Sequence, residues 1–218
     1  MSIQKGFTIV ELIISISLAT IISGVLLYIS LNLVSDTTRA RITAELAIES
    51  QILLRSIVED TRLAGSLSTT NQNTDSNSPV GGWVTNDPSN ILIIDLPAIN
   101  VSRDIIYDSS TGYPYDNEVV YYSSGSSMYR RTIVNPSATG NILKTSCPPA
   151  LATSICPADK KFTSYLTDLT FTFYDDSNNT TADATLARSV QITVRVQRKI
   201  LGKTVKFDNT IRTTLRNR

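Results

Sequence analysis

An uninterrupted apolar stretch at residues 7–34 constrains this chain more than any other feature of its sequence. It reads FTIVELIISISLATIISGVLLYISLNLV, and Glu11 is its only charged side chain. As an α-helix this stretch would be about 42 Å long, against roughly 30 Å for the hydrocarbon core of a bilayer. A secretory signal peptide has a shorter apolar region that is followed by a cleavage site with small residues, and this stretch has neither property. The stretch is therefore predicted to be a retained membrane-spanning helix.

Glu11 is the one residue that does not suit this helix. A carboxylate inside a spanning helix costs about 2.5–3.5 kcal/mol on insertion scales, so such a residue is expected to have a function and a partner. No other charged residue lies in the stretch, and Lys5 is nearly two helical turns away. Two interpretations stay open from these residues alone. Either Glu11 lies near the interface and extends into the headgroups, or it pairs with a group outside its own helix.

Residues 6–12, GFTIVEL, join a short polar segment to this helix. They resemble the prepilin signature of type IV pilins and of the pseudopilins of type II secretion. The resemblance implies that a membrane peptidase cuts between Gly6 and Phe7, removes residues 1–6 as a leader peptide and methylates the new amino group of Phe7. It also implies a partner for Glu11 in filament assembly, which is the Phe7 amine of a neighbouring subunit.

The same resemblance implies a location for the chain. Its N-terminus would be cytoplasmic, residues 7–34 would cross the inner membrane once, and the C-terminal domain would be periplasmic until the protein enters a pilus at the cell surface. The flanking charges do not decide this orientation, because Lys5 lies on one side and Arg39 and Arg41 on the other.

The helical pattern continues past the membrane through residues 35–65. Apolar side chains recur there on one helical face, at Ile42, Leu46, Leu53, Ile57 and Ala64. That spacing is typical of an amphipathic helix, and Gly65 is a suitable residue to end it. A single helix over residues 7–64 is therefore predicted, and its second half needs another part of the chain to cover its apolar stripe.

Residues 66–218 are predicted to supply that cover as an extracytoplasmic β domain. Residues 66–89 are rich in Ser, Thr, Asn, Gly and Pro, which indicates a loop, mobile around residues 69–78 and anchored by Trp83. Strand patterns then follow at residues 90–96, 101–107, 118–123, 126–134, 169–173, 190–197 and 205–215. We expect a hairpin turn at Ser124-Gly125 and a bulge near residues 208–209. The predicted fold class is α+β, type IV pilin-like, with one long helix packed on an antiparallel sheet.

Cys147 and Cys156 enclose eight residues in the segment CPPALATSIC. This spacing is too long for a thioredoxin-type pair, and no histidine is available to complete a zinc site. A disulfide that closes a surface loop is favoured over two free thiols, and it would place this domain in an oxidising compartment.

Composition argues against several other functions. The chain has no histidine, which removes the commonest general base and the usual catalytic zinc ligands. Its net charge of +1 gives no general attraction to nucleic acid, so no nucleic-acid partner is expected. Four residues, Asp175, Ser177, Asn179 and Asp183, have the spacing of a calcium loop, but its glycine and closing glutamate are missing, so a polar turn is predicted. No enzyme activity, metal or cofactor is expected.

Three further segments resemble those of PilW/PulJ-type minor pilins, namely residues 53–65, 118–131 and 210–218. This resemblance implies a minor pilin that helps to prime or support assembly of a type IV pilus. Its partners would be the prepilin peptidase, other minor and major pilins, and the assembly platform of the inner membrane. Two alternatives stay open: a J-type pseudopilin of type II secretion, and a membrane-anchored adhesin or other binding module.

Overall fold

The structure is a computed structural model that describes residues 8–87, 90–200 and 202–215. The predicted cleavage and methylation site at Gly6 and Phe7 lies outside these residues. Within them, the chain forms one α-helix followed by nine β-strands and two short 3₁₀ turns. The predicted arrangement of a long N-terminal helix packed on antiparallel β structure is confirmed.

Helix α1 spans Ile9–Leu63 without a break, as the sequence predicts. Its buried residues begin at Ile42 and form a stripe that reaches Thr61, whereas residues 8–34 are all exposed. Gly65 does not end the helix in the expected left-handed conformation. Ala64 instead turns the chain into extended backbone, with φ −64° and ψ 141°, and the Gly65 N–H donates to the carbonyl of Asp95 at 3.0 Å. The Gly65 N–H, which would donate to a helix carbonyl in a left-handed glycine cap, is therefore paired with the sheet instead.

The first sheet is an antiparallel meander of five strands in sequence order: β1 (Ser66–Ser68), β2 (Leu92–Pro97), β3 (Asp116–Ser124), β4 (Ser127–Ile133) and β5 (Lys160–Thr163). The β3–β4 hairpin turns at Gly125-Ser126, one residue later than predicted, because Ser124 pairs with Ser127. Gly125 has φ +58°, a conformation that favours glycine at the first central position of a two-residue hairpin.

The second sheet contains the other four strands: β6 (Leu166–Tyr174), β7 (Thr180–Thr181), β8 (Ser189–Ile200) and β9 (Lys203–Thr214). Their order is β7-β6-β8-β9. The bulge predicted near residues 208–209 is wrong, because β8 and β9 pair without a shift along their whole length. Asn209 takes an inward position in this regular strand, and its amide donates to Ser50 Oγ of α1 at 3.4 Å.

Two other predictions on the β domain need correction. The strands form two sheets and not one, because β5 pairs with β4 whereas β6 pairs with β8. Residues 101–107 are not a strand. Asn100 Oδ1 accepts from the N–H groups of Ser102 and Asp104, and Arg103 has φ +66°, so a side-chain-capped turn replaces the extended backbone.

The main core lies between the amphipathic half of α1 and both sheets, and it includes Leu46, Leu53, Tyr121, Phe171 and Val194. A smaller cluster covers the opposite side of the first sheet, where Trp83 packs with Ile91, Ile93, Val120 and Ile133. Both faces of β2 and β3 are therefore buried, which explains why these strands lack a simple alternation of apolar and polar residues.

Candidate assembly helix and its β platform

The apolar half of α1 is the largest uncovered hydrophobic surface in the described part of the chain. Its apolar side chains from Ile9 to Val34 are all exposed, and Glu11 is the only charged residue in this stretch. Residues 9–34 alone would be about 39 Å long, which exceeds the apolar thickness of a bilayer. The helix is therefore long and apolar enough to be a single-pass membrane anchor.

Two hydroxyl side chains of this half, those of Ser17 and Thr20, suit a lipid environment. Ser17 Oγ donates to the carbonyl of Ile13 at 2.8 Å, and Thr20 Oγ1 donates to the carbonyls of Ile16 and Ser17. These hydroxyls are satisfied within their own helix, which is a requirement for polar groups where water is absent.

Glu11 has a partner that the sequence analysis missed. The Thr8 N–H and the Thr8 hydroxyl donate to Glu11 Oε2 at 3.0 and 2.9 Å, while the Glu11 N–H donates to Thr8 Oγ1 at 3.3 Å. This is a capping box, and its sequence signal was present, since Thr8 stands three residues before Glu11 at the start of an apolar run. Neither of the two interpretations drawn from the sequence, an interfacial carboxylate or a partner outside the helix, included this hydrogen-bond partner at the start of the same helix.

The capping box fixes where the carboxylate can act. Glu11 lies in the first turn of α1, where the partial positive charge of the helix N-terminus favours an anion. Both donated bonds from Thr8 end on Oε2, and among the described residues Oε1 accepts none. The site can therefore accept one further strong donor without losing its own cap.

The amphipathic half of α1 is held on the first sheet by a polar contact as well as by its apolar stripe. Arg130 of β4 forms an ion pair with Asp60, with Nε 2.7 Å from Oδ2. The Tyr121 hydroxyl donates to the same carboxylate at 2.6 Å and lies 3.0 Å from Ser56 Oγ. Burial, together with the nearby Asp60 charge, raises the pKa of Tyr121 well above its usual value, so the phenol stays a donor.

A buried charge cluster ties three distant segments of the β domain together. Arg131 of β4 places Nη1 2.9 Å from Asp75 Oδ2 and Nη2 2.8 Å from Asp159 Oδ2, and all three side chains are at most 1% exposed. Trp83 Nε1 donates to Asp75 Oδ2 at 2.7 Å, and the Arg131 guanidinium lies over its ring. The expectation that residues 69–78 are a mobile loop is at odds with this burial, because Asp75 is one anchor of the cluster.

The two cysteines lie beside this cluster. Cys147 and Cys156 are joined in a disulfide with their Cα atoms 5.6 Å apart, and the loop between them contains the 3₁₀ turn Pro149–Leu151. The Asp159 N–H donates to the carbonyl of Cys147 at 2.7 Å. The closed loop therefore helps to position one of the two carboxylates that hold Arg131.

A second group of carboxylates lies at the end of β2 and β3, where Asp95 is the cross-strand partner of Glu118 and Asp116 is nearby. Burial, and secondarily the charge of Asp95, raises the pKa of Asp116 to about 6. Burial also raises the pKa of Asp95 and of Glu118. In residues 8–87, 90–200 and 202–215, no group of three or more Asp, Glu, Cys or His side chains is arranged to hold a metal ion.

Comparison with known proteins bears on the N-terminal segment. Residues 1–27 match the family described as the prokaryotic N-terminal methylation motif. No curated protein matches the chain. The match covers the segment that contains Gly6, Phe7 and Glu11, and the rest of α1 continues from it into the β domain. The motif and the α+β arrangement together support a type IV prepilin-like protein.

Proposed function

We propose that this chain is a minor pilin of a type IV pilus, which primes or supports filament assembly. The observation that carries the proposal is the N-terminal methylation motif at residues 1–27. It is joined to an apolar helix whose first half is exposed and whose second half packs on the β domain. Proteins with this motif and this architecture are structural subunits, so we propose no catalytic activity for the chain. The PilW/PulJ-type segments are the reason for choosing a minor pilin.

Processing would create the charge that Glu11 needs. A prepilin peptidase would cut after Gly6 and methylate Phe7, leaving a positively charged amine at the start of the mature helix. In a filament, the amine of one subunit would lie beside Glu11 of a neighbour that is offset along the axis. Oε1 is the oxygen that would receive it, because the bonds from Thr8 end on Oε2.

The energies favour such a pair only inside the assembly. Opposite charges about 4 Å apart attract by about 4 kcal/mol at an effective dielectric constant of 20. That attraction is close to the insertion cost of about 2.5–3.5 kcal/mol for an isolated carboxylate. A buried pair therefore contributes little net stability, and its main effect is to fix which subunits dock and at what offset.

The β domain would be the part exposed outside the cytoplasm. Its disulfide fits an oxidising compartment such as the periplasm, and the single apolar helix fits an inner-membrane anchor. Before assembly the domain would lie above the membrane on the rigid second half of α1. Its partners would be other minor and major pilins and the inner-membrane assembly platform.

Replacement of Glu11 tests this proposal. We expect Glu11→Ala to lower the number of surface pili at least about tenfold, because it leaves the buried amine of the neighbouring subunit without a counter-ion. Breaking a buried pair from one side typically costs about 3–5 kcal/mol, which exceeds the roughly 1.4 kcal/mol of a tenfold change in docking. Glu59→Ala is the matched control, because Glu59 is an exposed helix glutamate whose side chain pairs with Arg55. Pili are counted by electron microscopy, and immunoblots of membranes check that both variants accumulate. Normal piliation with Glu11→Ala would contradict the proposed pairing.

A further inference from the structure

The end of the β domain that lies nearest the apolar half of α1 is formed by the β8–β9 hairpin. Two contacts show the direction in which this hairpin runs along the helix. Asn209 reaches Ser50, whereas Arg198, which is paired with Val205 nearer the turn, places Nη1 3.1 Å from Glu45 Oε2. The hairpin therefore advances toward the N-terminal half of α1 as it approaches its turn.

The hairpin tip lies close to the point where the helix would leave the membrane. Glu45 is about 16 Å along the helix from Val34, and the strands continue past Arg198 for two more residues, or about 7 Å. The headgroup layer extends about 5–7 Å beyond the hydrocarbon core. Ser35 and Thr38 are also the first helix residues outside the exposed class, to which all of residues 8–34 belong. The lower end of the β domain thus comes within reach of lipid headgroups.

The charge of this tip has one sign. Residues 197–206 contain four cations, Arg198, Lys199, Lys203 and Lys206, and no acidic residue. The three lysines are exposed, and none of them forms an ion pair with another residue in the described ranges. On α1 the exposed cation Arg39 is offset by the exposed carboxylate of Asp36, so the excess positive charge comes from the hairpin itself. This concentration of charge is local, since the whole chain carries a net charge of only +1.

We propose that the β8–β9 tip docks on a bilayer surface that carries anionic phospholipid headgroups, and that this contact holds the β domain against the membrane before assembly. The inference rests on the proposed membrane anchoring by residues 7–34. Anchoring keeps the tip within about one Debye length, 8–10 Å, of the headgroups, so salt screens the attraction only in part. Each lysine near an anionic surface would favour the docked state by about fivefold, which is about 1 kcal/mol.

The test uses the full-length chain in nanodiscs made of phosphatidylcholine alone or of phosphatidylcholine mixed with phosphatidylglycerol. A spin label is attached at Thr204→Cys, an exposed position opposite Lys199. The native cysteines form a disulfide and do not take the label. The measurement is the accessibility of the label to a water-soluble nickel chelate, and a label at Ser137→Cys, beyond the far end of β4, reports on the opposite end of the domain.

We expect accessibility at position 204 to fall several-fold when phosphatidylglycerol is present, with no change at position 137. The charge-reversed chain Lys199→Glu/Lys203→Glu/Lys206→Glu should lose this protection, whereas the corresponding arginine variants should keep it. A matched control, Arg62→Glu/Arg103→Glu/Lys144→Glu, changes the net charge equally at exposed sites in the last turn of α1 and in the loops after β2 and β4, and it should behave like the parent chain.

Two different failures are distinguishable. A chain that inserts into both kinds of nanodisc but shows the same accessibility at position 204 overturns the docking and leaves the anchoring intact. Protection that survives reversal of the three tip lysines overturns it as well. A chain that does not insert into either nanodisc overturns the anchoring and, with it, the docking.

Discussion

At the scale of single residues, the guanidinium of Arg131 neutralises two buried carboxylates. Its removal by Arg131→Ala would leave Asp75 and Asp159 buried without their cation. Breaking such a buried arrangement from one side typically costs about 3–5 kcal/mol. We expect a loss of this size in the free energy of unfolding, measured by denaturation of the full-length protein in detergent. Trp83, the only tryptophan, reports on the site directly because the guanidinium lies 5.4 Å from its ring.

Arg195 provides the control for that measurement. It forms an ion pair with Asp168 at 2.8 Å, but its side chain is 54% exposed. Exposed pairs contribute about 0–1 kcal/mol, so Arg195→Ala should change the free energy of unfolding by no more than that. Equal losses for the two variants would show that burial of the Arg131 cluster does not contribute to stability.

Asp116 gives the β domain a dependence on pH. Because its pKa is raised to about 6 in the folded state, the folded chain holds this proton more tightly than the unfolded chain does. Stability from this carboxyl is therefore present below the unfolded pKa near 3.8 and is lost as the pH rises through about 6. Asp95 and Glu118, whose pKa values are raised by burial, act in the same direction.

The variant Asp116→Asn keeps this side chain neutral at every pH and so removes the loss of stability that ionisation of the carboxyl causes. We expect it to stabilise the full-length protein at pH 7 by about 1 kcal/mol, a figure reduced because the carboxyl is only half-buried. The gain should vanish near pH 4, which a series of thermal melts across this range would show. Asp104→Asn, at an exposed aspartate, should produce no such trend. A gain from Asp116→Asn that is the same at both pH values would contradict the assignment.

At the scale of elements, the disulfide loop helps to hold in place the segment that follows it. Cys147 and Cys156 close a short loop, and the next residues lead to Asp159 and then to β5. Replacing both cysteines with serine should lower the free energy of unfolding by about 2–3 kcal/mol. Reduction of the parent protein should lower it by a similar amount, and the double variant should not respond to reductant. A reductant-sensitive variant would contradict this explanation.

At the scale of the whole molecule, one rigid element joins the apolar and the covered parts of the chain. Helix α1 is continuous from Ile9 to Leu63, so a force or displacement at Glu11 is transmitted to the β domain without an intervening hinge. A subunit of this kind couples its position in a membrane or filament directly to the orientation of its outer domain.

Deletion of the gene for this chain distinguishes a role in a type IV pilus from a role in type II secretion. We expect the deletion strain to lose surface pili and to keep normal secretion of folded proteins, because the proposed role is in pilus assembly. Re-expression of the full chain should restore piliation, which is the control for effects on neighbouring genes. Intact piliation with defective secretion would instead identify the chain as a pseudopilin.

Local periodicity was sufficient for the features that depend on neighbours along the chain. Three such features were predicted correctly: the apolar run, the stripe from Ile42 to Ile57, and the alternation in β8. Each pattern reflects which side of a single helix or strand is apolar. The Thr8–Glu11 capping box was equally readable, since it spans one helical turn. The strand prediction for residues 101–107 was wrong because the Asn100 side chain accepts a backbone hydrogen bond there and stabilises a turn in place of a strand.

The tertiary structure decided which distant segments meet. Arg131 lies 56 residues from Asp75 and 28 residues from Asp159, and nothing in the spacing of these residues marks them as partners. The division of the strands into two sheets likewise depends on which edges pair, which alternation within a strand does not specify. Sequence alone therefore determined the helix, its apolar half and the strand-rich domain, because short-range backbone and burial preferences dictate them. The buried charge cluster, the packing of the loop around Trp83 and the placement of the basic hairpin tip beside the helix were decided by long-range packing.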